Sequence, residues 1–201
     1  MSKANKSNKA IKYRLYPNDE QKVMFAKTFG CCRFVYNQLL ALQKQRYKDG
    51  ESHLSKLKSN EFATRTLKKD YDFLKEIDKF AVSNAVFHLA DAYDRFFKKQ
   101  NHFPKFKSKR KSKKSYTTNF TNNNILIGKN VIKLPKVGMA KAVIHKLPKD
   151  DWKLKSVTVS QDSVGNYFSS VLFEYEQEDI PSVSKSSTNA IGLDYKSDGL
   201  Y

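Results

Sequence analysis

The sequence predicts an α+β protein: a small β-barrel domain into which a helical bundle is inserted. Three observations carry that expectation. Between residues 18 and 99 the apolar residues recur at helical spacing. Between residues 100 and 178 they change to short β-branched and aromatic runs broken by turn clusters, as in small all-β domains. One strand-like segment, residues 11–16, stands before the helices, where its backbone groups have no partner. It is therefore expected to pair with strands beyond residue 114, leaving the helices as an insertion.

The elements follow in order. Residues 1–10 carry three lysines and no apolar stretch, so they read as a disordered basic tail and not as a secretory signal. Ile11, Tyr13 and Leu15 alternate with basic residues and define one strand face. Pro17 ends the strand, and Asn18 with Gln21 three residues on forms a capping-box variant that starts a helix. Phe25 and Phe29 lie on its apolar side. Gly30 reads as a stop, with a second helix from residue 31 to 48 carrying Val35, Leu39 and Leu42. A third helix is expected within residues 60–69. The fourth, residues 79–99, has the broadest apolar stripe (Val82, Val86, Leu89, Tyr93 and Phe96) and is expected to be the spine of the bundle. Candidate strands follow at 115–120, 125–127, 131–134, 142–145, 154–160 and 167–175. Residues 179–189, with Pro181 and four serines, read as a linker. Residues 190–201 read as a new start: a short apolar strand ending in Asp194, then an Asp198-Gly199 turn.

Composition narrows the partners. Thirty-eight Lys and Arg against twenty Asp and Glu give a net charge of +18 and a pI of about 9.7. Such a field favours a polyanion, through neutralised phosphates and released counterions. No apolar run approaches the ~18 residues of a spanning helix, so no membrane is expected. The only cysteines, Cys31 and Cys32, are adjacent, which suits neither a mutual disulfide nor a shared metal. They read as buried thiols of a reducing, cytoplasmic compartment. The four histidines show no metal-ligand spacing, and Trp152 reads as a packing residue.

Two stretches are candidates for nucleic-acid contact. Residues 98–114 hold nine basic residues in seventeen positions and no acid: Lys98, Lys99, Lys105, Lys107, Lys109, Arg110, Lys111, Lys113 and Lys114. Lysines meet phosphates and carry no sequence readout by themselves. Phe103 and Phe106 interrupt the charge and can either dock the segment on the protein or stack on unpaired bases. The second stretch is Gly30-Cys-Cys-Arg33-Phe34-Val35-Tyr36-Asn37. Arg and Asn are the usual bidentate readers of guanine and adenine edges, and a helix after a short break resembles the second helix of a helix-turn-helix. The other role stays open: Tyr36 in the core and Asn37 bonded to backbone. Asp194 is the one residue whose context suggests catalysis, as a carboxylate leaving a first strand toward a two-metal nuclease site.

Taken in order, Tyr13-Arg-Leu-Tyr-Pro17, Gly30 to Asn37, Phe103-Pro-Lys-Phe-Lys107 and Ile191-Gly-Leu-Asp194 resemble the TnpB/OrfB transposase family of bacterial insertion sequences. The resemblance covers nearly all of the chain after the tail. It implies an RNA-guided DNA endonuclease related to the type V CRISPR effectors. Its wedge-like barrel would be residues 11–17 and 100–178, with an inserted recognition domain at 18–99. A RuvC-like nuclease domain of RNase H fold would begin at 190–201, with Asp194 as its first catalytic residue. Guide RNA and target double-stranded DNA are the implied partners, with a short motif beside the target read much as a PAM is read. Mg²⁺ and a structural Zn²⁺ belong to the full-length family. The remaining carboxylates and the zinc ribbon do not occur within these 201 residues. The chain is therefore expected to be truncated at the start of the nuclease domain, to bind no cofactor itself, and to bind nucleic acid without cutting it. The alternative is a non-catalytic DNA- or RNA-binding protein or regulator derived from such a transposase.

Overall fold

The computed structural model describes residues 5–177. Helices and a seven-stranded sheet share them, in the order one strand, helices, six strands. The first strand, β1 (Asn5–Tyr16), lies near the middle of the sheet. It pairs along most of its length with β7 (Tyr167–Gln177), and through Arg14, Leu15 and Tyr16 with β5 (Gly138–Val143). The remaining strands are β2 (Lys114–Asn119), β3 (Leu126–Ile127), β4 (Val131–Leu134) and β6 (Lys153–Gln161). The sheet order is β2-β6-β7-β1-β5-β4-β3, and every pairing is antiparallel. The strand that stood alone in the sequence thus finds its partners beyond residue 114. Ile11, Tyr13 and Leu15 are buried, as their alternation requires.

Three expectations are corrected. The tail does not extend to residue 10, because Asn5 to Ala10 pair with residues 172–177 of β7, so the ladder orders a stretch with little apolar pattern of its own. The sheet is open: among the described residues β2 and β3 are edges and do not pair with each other, so the barrel does not close. At the β2 edge a helix does part of a strand's work. Asn84 donates from Nδ2 to the carbonyl of Thr117 at 2.9 Å, covering a group an edge strand leaves free.

The third correction concerns Gly30. A single helix, α1 (Asp19–Lys48), runs straight through it. Gly30 is not among the positive-φ residues, and Phe29, Cys31 and Cys32 beside it are all buried. A glycine costs a helix interior about 1 kcal/mol, which burial of these neighbours outweighs. The start of α1 is as expected. Asn18 and Gln21 exchange capping-box bonds of 2.8 and 3.1 Å, and Gln21 also donates to the Met139 carbonyl at 2.9 Å, fixing the helix to β5.

The helix expected within residues 60–69 is present: α2 (Lys56–Glu61), a π-helical stretch (Phe62–Leu67) and α3 (Lys68–Asp70) follow one another without a gap, and a 3₁₀ turn (Asp72–Lys75) comes after them. The spine, α4 (Lys79–Phe97), buries Val82, Val86, Leu89 and Tyr93. Its N-cap, Asp78, accepts from the Ala81 amide at 3.3 Å and from the Thr118 hydroxyl at 2.6 Å, joining α4 to β2. One apolar core runs from helices into sheet, with Phe25 and Phe29 packed on Tyr116 and Phe25 also on Tyr167. The expected linker at 179–189 and the nuclease start at 190–201, Asp194 included, lie outside the described residues.

Candidate nucleic-acid interface

The basic segment begins where α4 ends. Lys98 is the C-cap, and Lys99 takes a left-handed conformation, φ 57°, that turns the chain back over the helices. Phe103 then packs edge-on to Tyr93 and Phe96, with centroids at 5.6 and 5.2 Å, and Pro104 is buried beside it. Of the two roles open to the phenylalanines, docking is the one Phe103 fills. Phe106 stays half in solvent, with the Lys44 ammonium 4.9 Å from its ring centre.

At Lys107 the segment is fastened. Asn37 of α1 donates from Nδ2 to the Lys107 carbonyl at 2.9 Å, and its Oδ1 accepts from the Lys107 amide at 2.8 Å. The side-chain amide thus holds both backbone groups of one residue, as a neighbouring strand would. Six residues along α1, Gln43 holds Leu54 in the same way, at 3.2 and 3.0 Å. Asn37 therefore fills the second of its two sequence roles, bonding to backbone. Tyr36 is buried, and the Lys107 ammonium lies 4.0 Å above its ring. Burial pushes the Tyr36 phenol up and holds Lys107 below the usual lysine range. Arg33 is half-buried and lines a cleft with Cys32, His88, Lys107, Lys109, Lys113 and Lys114. Burial, then the nearby Lys107 charge, lowers the His88 pKa.

Beyond Lys107 the chain makes a self-bonded turn. The Ser108 hydroxyl accepts from the Lys111 amide at 2.9 Å, and the Ser112 hydroxyl accepts from the Ser108 amide at 2.8 Å. The serines satisfy the turn's backbone, so Lys109, Arg110 and Lys111 project into solvent. Lys113 and Lys114 continue onto β2, where the Lys114 ammonium bonds the Gln161 side chain at 3.0 Å. Lys98, Lys99 and Lys105 are exposed. Among the described residues none of the nine cations forms an ion pair, although eight pairs form elsewhere.

Sequence reasoning missed a second basic surface. On the face of β1 opposite Tyr13, the Lys12 and Arg14 charges lie 4.2 and 5.0 Å from the Phe168 ring centre, and Arg14 is 5.5 Å from Tyr16. The same alternation that placed Ile11, Tyr13 and Leu15 in the core implied this face. Trp152 packs on Phe173 and Tyr175. Burial first, and nearby charges second, push the Cys31 and Cys32 thiols up to about 11 and about 12. Among the described residues no group of three or more His, Cys, Asp or Glu is placed to hold a metal ion, and no helix is long and apolar enough to cross a membrane.

Fold and surface together define a protein that, among the described residues, carries a basic segment without ion pairs at 98–114 and a second basic face on β1. Comparison with known proteins gives it a family. The helix-turn-helix domain model HTH_OrfB_IS605 matches residues 7–52, which here form β1 and the unbroken α1. The chain is 30% identical over 188 residues to "Putative RNA-guided DNA endonuclease" of Streptomyces pristinaespiralis, covering 92% of this chain and 45% of that protein. It is 29% identical over 192 residues to "Putative RNA-guided DNA endonuclease InsQ" of Escherichia coli K12, covering 92% and 44%. "Virulence protein VsdF" of Salmonella dublin is 32% identical over 111 residues, half of this chain and 93% of that protein. The chain belongs to the TnpB/OrfB family. It spans less than half the length of the two endonuclease relatives.

Proposed function

We propose that this chain is the nucleic-acid-binding portion of a transposon-encoded, RNA-guided DNA endonuclease, and that it holds a guide RNA and a DNA motif beside the target. The observation that carries this reading is the segment at 98–114. Its nine cations form no ion pairs among the described residues, and a two-bond clamp at Lys107 ties the segment that carries them to α1. Phosphates are the partners that such an array lacks. The names of the two longer relatives favour the same class. In this reading the sheet serves as the wedge, the helices as the recognition part, and Asp194 as the first carboxylate of a RuvC-like site working with Mg²⁺.

The test is a binding titration of the purified chain with duplex DNA and with structured RNA across salt concentrations. Affinity should fall steeply with salt. Changing Lys107, Lys109, Arg110 and Lys111 together to Ala should weaken binding about equally across sequences. The log–log salt slope should flatten by up to ~0.9 for each duplex phosphate that is no longer neutralised. An unchanged slope would remove the segment from the interface.

A further inference from the structure

A second feature of the helical part is not explained by phosphate contact. Between the C-terminal halves of α1 and α4, with the start of the basic segment as its third wall, runs a groove lined by Tyr47, His53, Tyr93, Phe96, Phe97 and Phe103. The inner rings meet edge to face: His53 on Tyr93 at 70°, Phe103 on Tyr93 at 86° and on Phe96 at 85°. The outer rings are left in water. Phe97 is 65% exposed and Tyr47 85%. Burying such rings is worth more than most other contacts, so rings left exposed side by side mark a surface that is covered in use.

The rim says by what. Lys44 and Lys48 stand in the lining from α1, and Lys98 and Lys99 follow Phe97 directly. Among the described residues none of the four is in an ion pair. Glu51, the acid of the lining, is bound by Arg46. Lys99 also keeps a strained backbone, φ 57°, at the position past a helix end where glycine is the usual residue. An apolar protein segment entering here would strip water from the Lys44 and Lys48 ammonium groups, which no carboxylate pairs among the described residues. A nucleobase brings a flat ring for the aromatic walls and its own phosphates for the rim.

We propose that this groove stacks an unpaired nucleobase, with the flanking phosphates on Lys44, Lys48, Lys98 and Lys99. The inference rests on the nucleic-acid-binding reading above and adds to it a preference for single strands at one place. The experiment uses the full chain and short labelled oligonucleotides: single-stranded RNA, single-stranded DNA and duplex DNA of the same length. Phe97→Ala should weaken single-strand binding about 5- to 150-fold, the range for removing one base–aromatic stack, and leave duplex binding within about twofold. Phe97→Trp should restore it. Phe97 is largely exposed, so the fold is not at stake, and Tyr47→Ala provides an independent second variant. A response of only the RNA or only the DNA strand would support the proposal and identify the source of the base. Equal losses on single strand and duplex, or no loss on either, would overturn it. If the unaltered chain binds none of the three, the broader reading fails as well. If it binds and Phe97→Ala changes nothing, only the groove is withdrawn.

Discussion

The two halves of the basic segment carry similar charge and do different work. Up to Lys107 the chain is fastened: Phe103 sits against α4, Pro104 is buried, and Asn37 grips the backbone of Lys107. From Ser108 to Ser112 it is bonded only to itself and holds Lys109, Arg110 and Lys111 out in water. The difference teaches that charge density alone does not define an interface. Lys107 is held by its backbone over a tyrosine, whereas its neighbours two to four residues on are free to meet a partner. A run of lysines becomes a site when one end is pinned well enough to aim the other.

That division can be broken from either end. The largest effect is expected in the free half. Changing Lys109, Arg110 and Lys111 together to Ala should lower duplex affinity by roughly two to three orders of magnitude near ~0.1 M salt, given a slope of ~0.9 for each of three phosphate contacts. Thermal stability should be nearly unchanged, since these side chains are exposed and form no ion pair among the described residues. A drop in melting temperature with unchanged affinity would reverse the roles of the two halves. Next in size is Asn37→Ala, which leaves the amide and carbonyl of Lys107 without their partner and should cost about 1–3 kcal/mol of stability by chemical denaturation. Hydrogen exchange at Lys107 should speed up. An unaltered exchange rate there would show that the clamp is not what holds the segment.

Parts of this arrangement were legible in the sequence. The capping box at Asn18, the apolar stripe of α4 and the pairing of β1 with late strands follow from local pattern and from the need to satisfy backbone groups. The clamp was not legible, because Asn37 and Lys107 are 70 residues apart and an asparagine side chain gives no signal of which backbone it will meet. One break was misjudged for a related reason: Gly30 suggested a stop and the helix continues. The helix expected within residues 60–69 is present, but its α-to-π change at Phe62 occurs without glycine or proline and left no mark in the sequence. Propensity is a small term that packing overrides in both directions. The sheet's open edge was hidden too, since Asn84 of α4 rather than a strand meets Thr117.

A smaller effect tests the pinned half through pH. Burial opposes the charge of Lys107, so its ammonium detracts from stability. The penalty is full below its lowered folded-state pKa. It fades as pH rises from there toward the unfolded value, because the folded protein then sheds the proton more readily than the unfolded chain does. Lys107→Met keeps the apolar stem over Tyr36 and removes the charge. The variant should gain on the unaltered chain at neutral pH, and the gap should narrow as pH is raised into the alkaline range. A gap independent of pH would mean that the ammonium is solvated and belongs with the free half.

The smallest effect concerns the floor beneath both halves. Asn37 can reach Lys107 only if α1 carries it in register from the capped start at Asn18, and that register passes through Gly30. A methyl group at Gly30 would meet nothing within 4 Å, and the backbone there is not left-handed. Gly30→Ala should therefore stabilise the protein by about 0.5–1 kcal/mol, by restricting the unfolded chain and favouring helix. Nucleic-acid binding should be kept. The matching family model is described as helix-turn-helix, so the opposite result is informative. If Ala at this position destabilises the chain or abolishes binding, the helix must bend at Gly30 in some state, and the clamp would then be released and re-formed as it does so.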